Sequence, residues 1–205
     1  MTTQTWNQGK LITMSADIYY HTLGGKMITV YPGKEERIII TNNKGEVAVY
    51  NPKLNEVTTM QNAAYSTESN FLYYFLNGNI LDLGLRAMKF QLMETTTENG
   101  MVITSWFPPA ELYNVFSKIE MVHEDFLPIY IAYYGKESKL VKKVYYSEYS
   151  NISEINIPLS ITEFNYLPKG DSLISRIRIE NLNVNQQANS PYFNFSIPKD
   201  AKRNE

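Results

Sequence analysis

The sequence predicts a mainly β (α+β) protein, in which one long, curved antiparallel sheet carries a short helical insertion. Three observations predict this class. Short apolar runs rich in Tyr, Ile and Val recur along the chain, Gly, Pro and Asn punctuate these runs, and one segment changes to helical spacing. A chain of 205 residues is a normal length for an all-β domain. We therefore expect residues 1–205 to form a single domain.

The first part of the chain has the pattern of an antiparallel meander. An apolar run over residues 11–20 leads to a Gly-Gly turn, and short strands then follow closely. We predict these strands at residues 26–31, 37–41, 46–50 and 56–60. In the breaks between them, Gly or Asn supplies a positive φ, and Pro lacks the N–H that a strand ladder needs.

The helical insertion is predicted at FLYYFL, residues 71–76. Its apolar side chains share one helical face: Phe71, Leu72, Phe75 and Leu76. Ser66 is the predicted N-cap, Glu68 lies in the expected first turn, and Gly78 is placed to adopt the left-handed conformation just past the end. A further turn is expected around residues 81–88.

The β pattern resumes after the helix. We predict strands at residues 89–94, 101–107, 116–123, 128–134, 140–149, 155–164, 173–184 and 192–197. The strands at 101–107 and 128–134 are apolar on both faces, which is typical of strands that are covered on both sides. A polar tail follows the last of these strands.

Composition excludes several classes of function. The net charge is −2 and the basic residues are scattered, which argues against a nucleic-acid surface. The absence of Cys removes thiol nucleophiles, thiolate metal sites and disulfides. No stretch approaches the roughly 20 apolar residues that span a bilayer. The N-terminus shows neither a basic start nor an apolar signal core, so a cytosolic protein and a chain with its signal segment removed both remain open.

Reactive side chains are scarce. The two histidines, His21 and His123, lie before a Gly-Gly turn and at the end of a predicted strand. Glu124 and Asp125 follow His123, but adjacent strand residues point to opposite faces, so at most two of the three could converge on a metal. We interpret His123 as a solvated strand end. No phosphate-binding Gly loop and no Gly-x-Ser-x-Gly elbow is present, and nothing indicates catalysis, a metal or a cofactor.

The chain is rich in aromatic and methionine side chains. It contains 16 Tyr, 9 Phe, 2 Trp and 8 Met. These side chains either fill a core or line a cavity for an apolar ligand, in which flexible Met would adapt to variable chains. The periodicity of the sequence is the same for a filled barrel and a hollow one, so both interpretations stay open.

Several short motifs follow one another in a distinctive order. VYP at residues 30–32 precedes the RIII strand, and Gly45 leads through YNP to Val57. The FLYYFL segment, WFPP at residues 106–109 and a closing YFNFSIPKD segment come after them. In this order, over nearly the whole chain, the sequence resembles the LolA-like family of periplasmic lipoprotein carriers. The Gly45 hairpin and the closing segment carry the resemblance best.

The resemblance implies a strongly curved antiparallel half-open β-barrel with a short helical lid. It also implies a non-enzymatic periplasmic carrier or chaperone that holds lipoprotein acyl chains in a hydrophobic cavity during transfer from the inner to the outer membrane. Acylated lipoproteins or another lipid-like ligand would be its partners, together with an inner-membrane release complex and an outer-membrane acceptor, and no nucleic acid. The alternative is an envelope interaction or sensor module of the same fold, with a filled or differently liganded cavity.

On this interpretation, candidate cavity residues come from the meander, the lid helix and the strand after it. They are Met27, Tyr31, Ile38, Ile40, Val47, Val49, Leu72, Phe75, Leu76, Met101 and Ile103. The sequence does not decide which parity of each strand faces inward, because a slip of one residue reverses it.

The chain departs from the family pattern at two places. Tyr31 stands where the family has an Arg that tethers the lid, and a phenol can donate one hydrogen bond but supplies no charge. The family also has a helix before its first strand, whereas here only TTQTWNQGK precedes Leu11. We therefore expect no N-terminal helix, and either a lower affinity for acyl chains or a different ligand.

Overall fold

The computed structural model describes residues 1–62, 67, 71–168 and 170–204. Their contacts group the chain into two compact units, and each is described by itself. The first unit contains Met1–Thr2, Met14–Asn77 and Glu180–Glu205, and the second contains Thr3–Thr13 and Gly78–Ile179. The assignment of residues 1–205 to a single domain stays a prediction.

The fold is mainly β, as predicted. The described strands are β1 (Thr2–Asn7), β2 (Lys10–Ser15), β3 (Asp17–His21), β4 (Lys26–Tyr31), β5 (Arg37–Thr41), β6 (Glu46–Asn51), β7 (Glu56–Gln61), β8 (Gln91–Glu98), β9 (Met101–Phe107), β10 (Lys118–Glu124), β11 (Leu127–Tyr134), β12 (Leu140–Ile152), β13 (Ile155–Tyr166), β14 (Ser172–Arg178) and β15 (Lys202–Asn204). The α-helix is α1 (Phe71–Leu76). The large antiparallel sheet does not close into a barrel, which confirms the half-open antiparallel architecture with a short helix.

The strands pair in two sheets, so the expectation of one long sheet is wrong. The second unit has a nine-stranded sheet in the order β2-β1-β14-β13-β12-β11-β10-β9-β8, and the first has a six-stranded sheet in the order β15-β7-β6-β5-β4-β3. In the predicted strand order, one continuous sheet would place β7 beside β8. Instead β15 pairs in parallel with the outer edge of β7, through Arg203 opposite Val57. This strand was missed because three polar residues in a charged tail carry no β pattern.

The first unit contains the predicted meander. The four strands β4 to β7 begin and end within one residue of their predicted bounds, and each pairs antiparallel with the next. The side chains of one face form a buried core, which we call the core face: Ile28, Val30, Ile38, Tyr50 and Val57, with Ile40 and Ala48 partly buried beside them. Burial of this face stabilises the six-stranded sheet through the hydrophobic effect.

The C-terminal segment covers the core face. Tyr192, Phe195 and Ile197 pack against it, and Ala201 is buried in it. Residues 192–197 are not the predicted strand, because Pro191–Asn194 forms a 3-10 helix in which the Ser190 side chain accepts a hydrogen bond from the Tyr192 N–H. Pro at the first helical position and Ser at the cap favour a turn over a ladder.

Helix α1 occupies the predicted residues 71–76. Gly78 follows it with φ of 69°, which confirms its predicted left-handed conformation. The predicted cap Ser66 and first-turn residue Glu68 lie outside the described residues. Within the described part of the chain, no helix is long and apolar enough to cross a membrane.

The chain departs from prediction near its N-terminus and after β14. The N-terminal residues form β1, which was not predicted, and the run at 11–20 is split at Ala16, whose N–H and C=O both pair with Met1. Strand β14 ends at Arg178, although the predicted strand extends to residue 184. Asn181, with φ of 53°, adopts a left-handed conformation that a strand does not allow.

Candidate apolar binding surfaces

Four of the six cavity residues predicted in the meander share one face of the six-stranded sheet. Direct cross-strand partners lie on the same face, and Met27 stands opposite Thr41, which stands opposite Val47. Tyr31 and Val49 fall on this same face by alternation along β4 and β6. Met27 and Val47 are buried, and Tyr31 and Val49 are half-buried. We call this surface the helix face, because α1 lies against it.

Helix α1 contacts the helix face through Tyr20 of β3, the direct partner of Met27. The rings of Tyr20 and Tyr73 meet edge to face, with centroids 6.3 Å apart. The Asn77 side-chain amide donates to the Tyr20 hydroxyl at 2.9 Å. Elsewhere on α1, Leu72 is buried, Phe75 is completely buried and Leu76 is half-buried. The contacts with Tyr20 place α1 on the same side of the sheet as Met27, Tyr31, Val47 and Val49.

Ile38 and Ile40, the other two residues predicted in the meander, lie on the core face. Ile38 stands opposite both Val30 and Tyr50, so its side chain is part of the buried core beneath the C-terminal segment. The isoleucine of β5 on the helix face is Ile39, which pairs with Val49. Residues 38–40 are all Ile, so the sequence does not indicate which of them faces which side of the sheet.

The sequence interpretation missed Arg37, which lies beside Tyr31. Arg37 is the direct partner of Tyr31 across β4 and β5, so a guanidinium lies one strand away from the place where a charged tether was expected. Arg37 is half-buried and donates from Nη1 to the Glu36 carbonyl at 3.1 Å. The spacing of the Pro-Gly turn could have predicted this pairing, because the turn sets which residues of the two strands are opposite.

The second unit also has one buried apolar face on its nine-stranded sheet, which we call the covered face. Its buried side chains are Trp106, Ile119, Met121, Ile131, Val144, Ile161 and Ile177. Residues 78–90 lie over part of it: Arg86 stacks on the Trp106 ring at 5.5 Å, and Leu85 and Phe90 are buried. Met101 and Ile103 lie on the opposite face, because Val122, the partner of Ile103, alternates with Met121.

His123 is buried, so its interpretation as a solvated strand end is wrong. Only 6% of its surface is exposed, and its Nε2 lies 3.4 Å from the Ile80 carbonyl oxygen. The segment over residues 78–90 covers the end of β10, and a contact so distant in sequence leaves no local signal. Burial lowers the pKa of His123, an effect that the contact with the Ile80 carbonyl partly opposes.

Most of the buried side chains among the described residues are apolar. No group of three or more His, Asp or Glu side chains within the described ranges is arranged to hold a metal ion. His123 has Val102 and Pro128 as strand partners, and neither can act as an acid or a base. What the two units offer is three apolar sheet faces, the core face, the helix face and the covered face, each with a segment of chain against it.

Comparison with known proteins places this fold. No family model and no curated protein matches the sequence. Among solved structures, a LolA superfamily protein from Nitrosomonas europaea is similar over 89% of this chain and 84% of its own, with 13% identity and a TM-score of 0.54. The chain has the LolA-like fold.

Two further structures are similar. A candidate outer membrane lipoprotein-sorting domain from Vibrio parahaemolyticus matches over 90% of this chain and 85% of its own, at 10% identity and a TM-score of 0.57. A DUF1329 family protein from Desulfovibrio piger matches over 94% and 86%, at 17% identity and a TM-score of 0.59. The resemblance predicted from short motifs is thereby confirmed at the level of the fold. The cavity residues stay predictions.

Proposed function

We propose that this protein is a non-enzymatic periplasmic carrier, which binds the acyl chains of lipoproteins or a similar lipid for transfer from the inner to the outer membrane. The observation that carries the proposal is the LolA-like fold, found in a solved structure named for lipoprotein sorting. The scarcity of reactive groups in the sequence agrees with a role in which binding alone is the activity.

The helix face and α1 supply a reasonable place for an alkyl chain to enter. Burying an acyl chain is worth about 0.8 kcal/mol per methylene, so a carrier needs apolar area and few polar contacts. The helix face provides that area through Met27, Val47 and Val49. Helix α1 is only six residues long, and a helix this short has little stability of its own.

Displacement of α1 would expose the helix face to a ligand. The exposed contact between Asn77 and Tyr20 is of the kind that a ligand can replace at small cost, since exposed hydrogen bonds contribute little net free energy. On this account a ligand shifts the position of α1 because it binds the open arrangement better than the closed one. Arg37, beside Tyr31, would supply the charge that the lid tether of the family requires.

Dye displacement tests the proposal. An apolar fluorescent dye bound to the protein should be displaced in a saturable manner by palmitate. Val49→Trp, which fills the helix face, should weaken dye binding at least tenfold. The matched control is Thr59→Trp on the next strand, whose exposed side chain lies on the other face of the sheet. Absence of saturable displacement from the unmodified protein, or equal loss in both variants, would refute the proposal.

The second candidate function is an envelope interaction module. Edge strand β2 favours it, because Leu11, Ile12 and Met14 are each 52% exposed on a strand with one free edge. A module that binds a protein partner through this edge would lose binding when Ile12 is changed to Lys, and would bind no palmitate. A carrier would keep its palmitate binding in Ile12→Lys.

A further inference from the structure

An aromatic surface with a lysine at its centre lies on the nine-stranded sheet, on the face opposite the covered face. Its rings are those of Tyr130, Tyr145, Phe164 and Tyr166, and Lys143 stands among them. Lys143 is the direct partner of Phe164 and of Ala132, which is fully buried beneath the surface. This surface plays no part in the proposed carrier function.

The rings surround the ammonium group of Lys143. Its Nζ lies 4.8 Å from the ring centroid of Phe164, 5.4 Å from that of Tyr145 and 5.9 Å from that of Tyr166. Tyr145 in turn meets Tyr130 at 5.0 Å and Phe164 edge to face at 6.0 Å. Aromatic faces attract a cation, so these contacts fix the position of the charge.

The charge of Lys143 is not neutralised by an acidic partner in the described structure. Among the described residues, no carboxylate forms an ion pair with it, whereas the adjacent Lys142 pairs with Glu163 on the other face at 3.3 Å. Hydrogen bonds to Tyr166 and Tyr145 raise the pKa of Lys143, so the ammonium stays protonated at neutral pH. A fixed positive charge held by neutral groups favours an anion.

The two phenols add donors at the same place. The rings of Tyr145 and Tyr166 lie beside the ammonium group, and because an ammonium group has donors and no acceptor, a phenol oxygen can only accept from it. Each hydroxyl proton is then left to donate to another group. An anion at this place would receive two phenol protons and an ammonium proton, and hydrogen bonds that involve a charged group are the strong ones.

We propose that Lys143, Tyr145 and Tyr166 form a binding site for a phosphate group carried by an organic ligand. Two phenol donors beside one ammonium donor match the several oxygens of a phosphate. The neighbouring ring faces of Tyr130 and Phe164 offer apolar contact to the organic part of the ligand. The phosphate belongs either to a soluble ester or to a lipid headgroup, and the experiment distinguishes these sources.

The sheet also supplies a matched control. Lys118 lies over the ring of Tyr134 at 4.8 Å, much as Lys143 lies over its rings, and on the same face. Its Nζ pairs with Glu120 at 3.3 Å, however, so its charge is already compensated. Lys118→Met removes a lysine over an aromatic ring without removing an uncompensated charge.

Titration with defined probes tests the site. Amide shifts of the folded chain are followed by NMR with sn-glycerol 3-phosphate, inorganic phosphate and acetate, and co-sedimentation is measured with phosphatidylglycerol and phosphatidylcholine vesicles. Saturable shifts around residues 143–145 with glycerol phosphate, without preferential sedimentation with vesicles, would indicate a soluble ligand. Preferential sedimentation with phosphatidylglycerol vesicles would indicate a lipid headgroup. Acetate should bind more weakly than either phosphate.

Variants decide whether the named residues carry the binding. Lys143→Met and the double variant Tyr145→Phe with Tyr166→Phe should each weaken it at least about tenfold, and Lys118→Met should leave it unchanged. The double variant keeps the rings and the charge of Lys143, so it tests the site even if Lys143→Met does not fold. Equal binding by the double variant, equal loss in Lys118→Met, or no saturable response to any phosphate probe would overturn the proposal.

Discussion

The ring of Tyr73 on α1 meets the ring of Tyr20 on β3 edge to face, with an interplanar angle of 83°. Tyr20 is the strand partner of Met27, so this contact connects the helix to the apolar helix face of the first unit. The Asn77 amide completes the connection by donating to the Tyr20 hydroxyl. The position of α1 thus depends in part on a ring contact between two half-buried tyrosines and on one exposed hydrogen bond, in addition to the burial of Phe75.

Removal of the Tyr20 hydroxyl should loosen α1 without unfolding the sheet. Tyr20→Phe keeps the ring contact but removes the acceptor for Asn77, and an exposed hydrogen bond contributes about 0.5–1 kcal/mol. Hydrogen exchange should therefore become faster at the amides of residues 75–77 and stay unchanged in β4 and β5. Asn77→Ala in the same background should add no further loss through this contact; full additivity of the two changes would show that they do not interact.

Phe75→Ala should strongly destabilise the first unit. Phe75 is completely buried, and truncating such a residue costs about 3–5 kcal/mol, measured by urea unfolding. Leu76→Ala is the matched control, because Leu76 is half-buried on the same helix and its truncation should cost about 1–2 kcal/mol. Similar losses in the two variants would contradict the burial of α1 through Phe75.

Acid should weaken the protein through His123. Burial lowers the pKa of this histidine in the folded state, while the unfolded chain keeps a value of about 6.5. As the pH falls below about 6.5, the unfolded state takes up a proton before the folded state does, so the free energy of unfolding decreases until the folded pKa is reached. Above that window His123 contributes no pH dependence.

Urea unfolding at pH 7.5 and pH 5.5 measures this effect. The loss of stability between the two pH values should be smaller in His123→Gln than in the unmodified protein. His21→Gln, at the exposed end of β3, is the comparison for removing a histidine elsewhere. An unchanged pH dependence in His123→Gln would show that the buried imidazole does not contribute.

Ser190→Ala should release the C-terminal segment from the core face. The Ser190 hydroxyl caps the 3-10 helix at Pro191–Asn194, and loss of such a cap costs about 1 kcal/mol. Limited proteolysis after Tyr192 or Phe195 should become faster, whereas Ser196→Ala, next to Phe195 on an exposed position, should have little effect. Equal cleavage rates in all three proteins would contradict a capping role.

The sequence predicted the meander well because each of its turns has a chemical signature. Pro-Gly, Asn-Asn-Lys-Gly and Asn-Pro fixed the bounds of β4 to β7 to within one residue, and helical spacing fixed α1. Where both faces of a strand are apolar, as at the three Ile residues of β5, the pattern does not predict which residues face which side of the sheet. Ile38 therefore lies in the core, while Ile39 lies on the helix face.

Other features depend on contacts that are distant in sequence. The alternating aromatics of YFNFSI look like a strand, but Ser190 and Pro191 turn the backbone, and the rings pack on the core face instead. The burial of His123 comes from a segment more than thirty positions earlier in the chain. Periodicity describes how one element presents its side chains, and it does not show what covers them.

Photocrosslinking to an acylated lipoprotein tests the central claim most directly. A photoreactive residue at Val49, on the helix face, should crosslink to a triacylated lipoprotein and not to the same protein without acyl chains. Position 40, which lies on the core face beneath the C-terminal segment, should give no crosslink. Equal crosslinking at both positions, or a crosslink at Val49 that does not require acyl chains, would contradict the account.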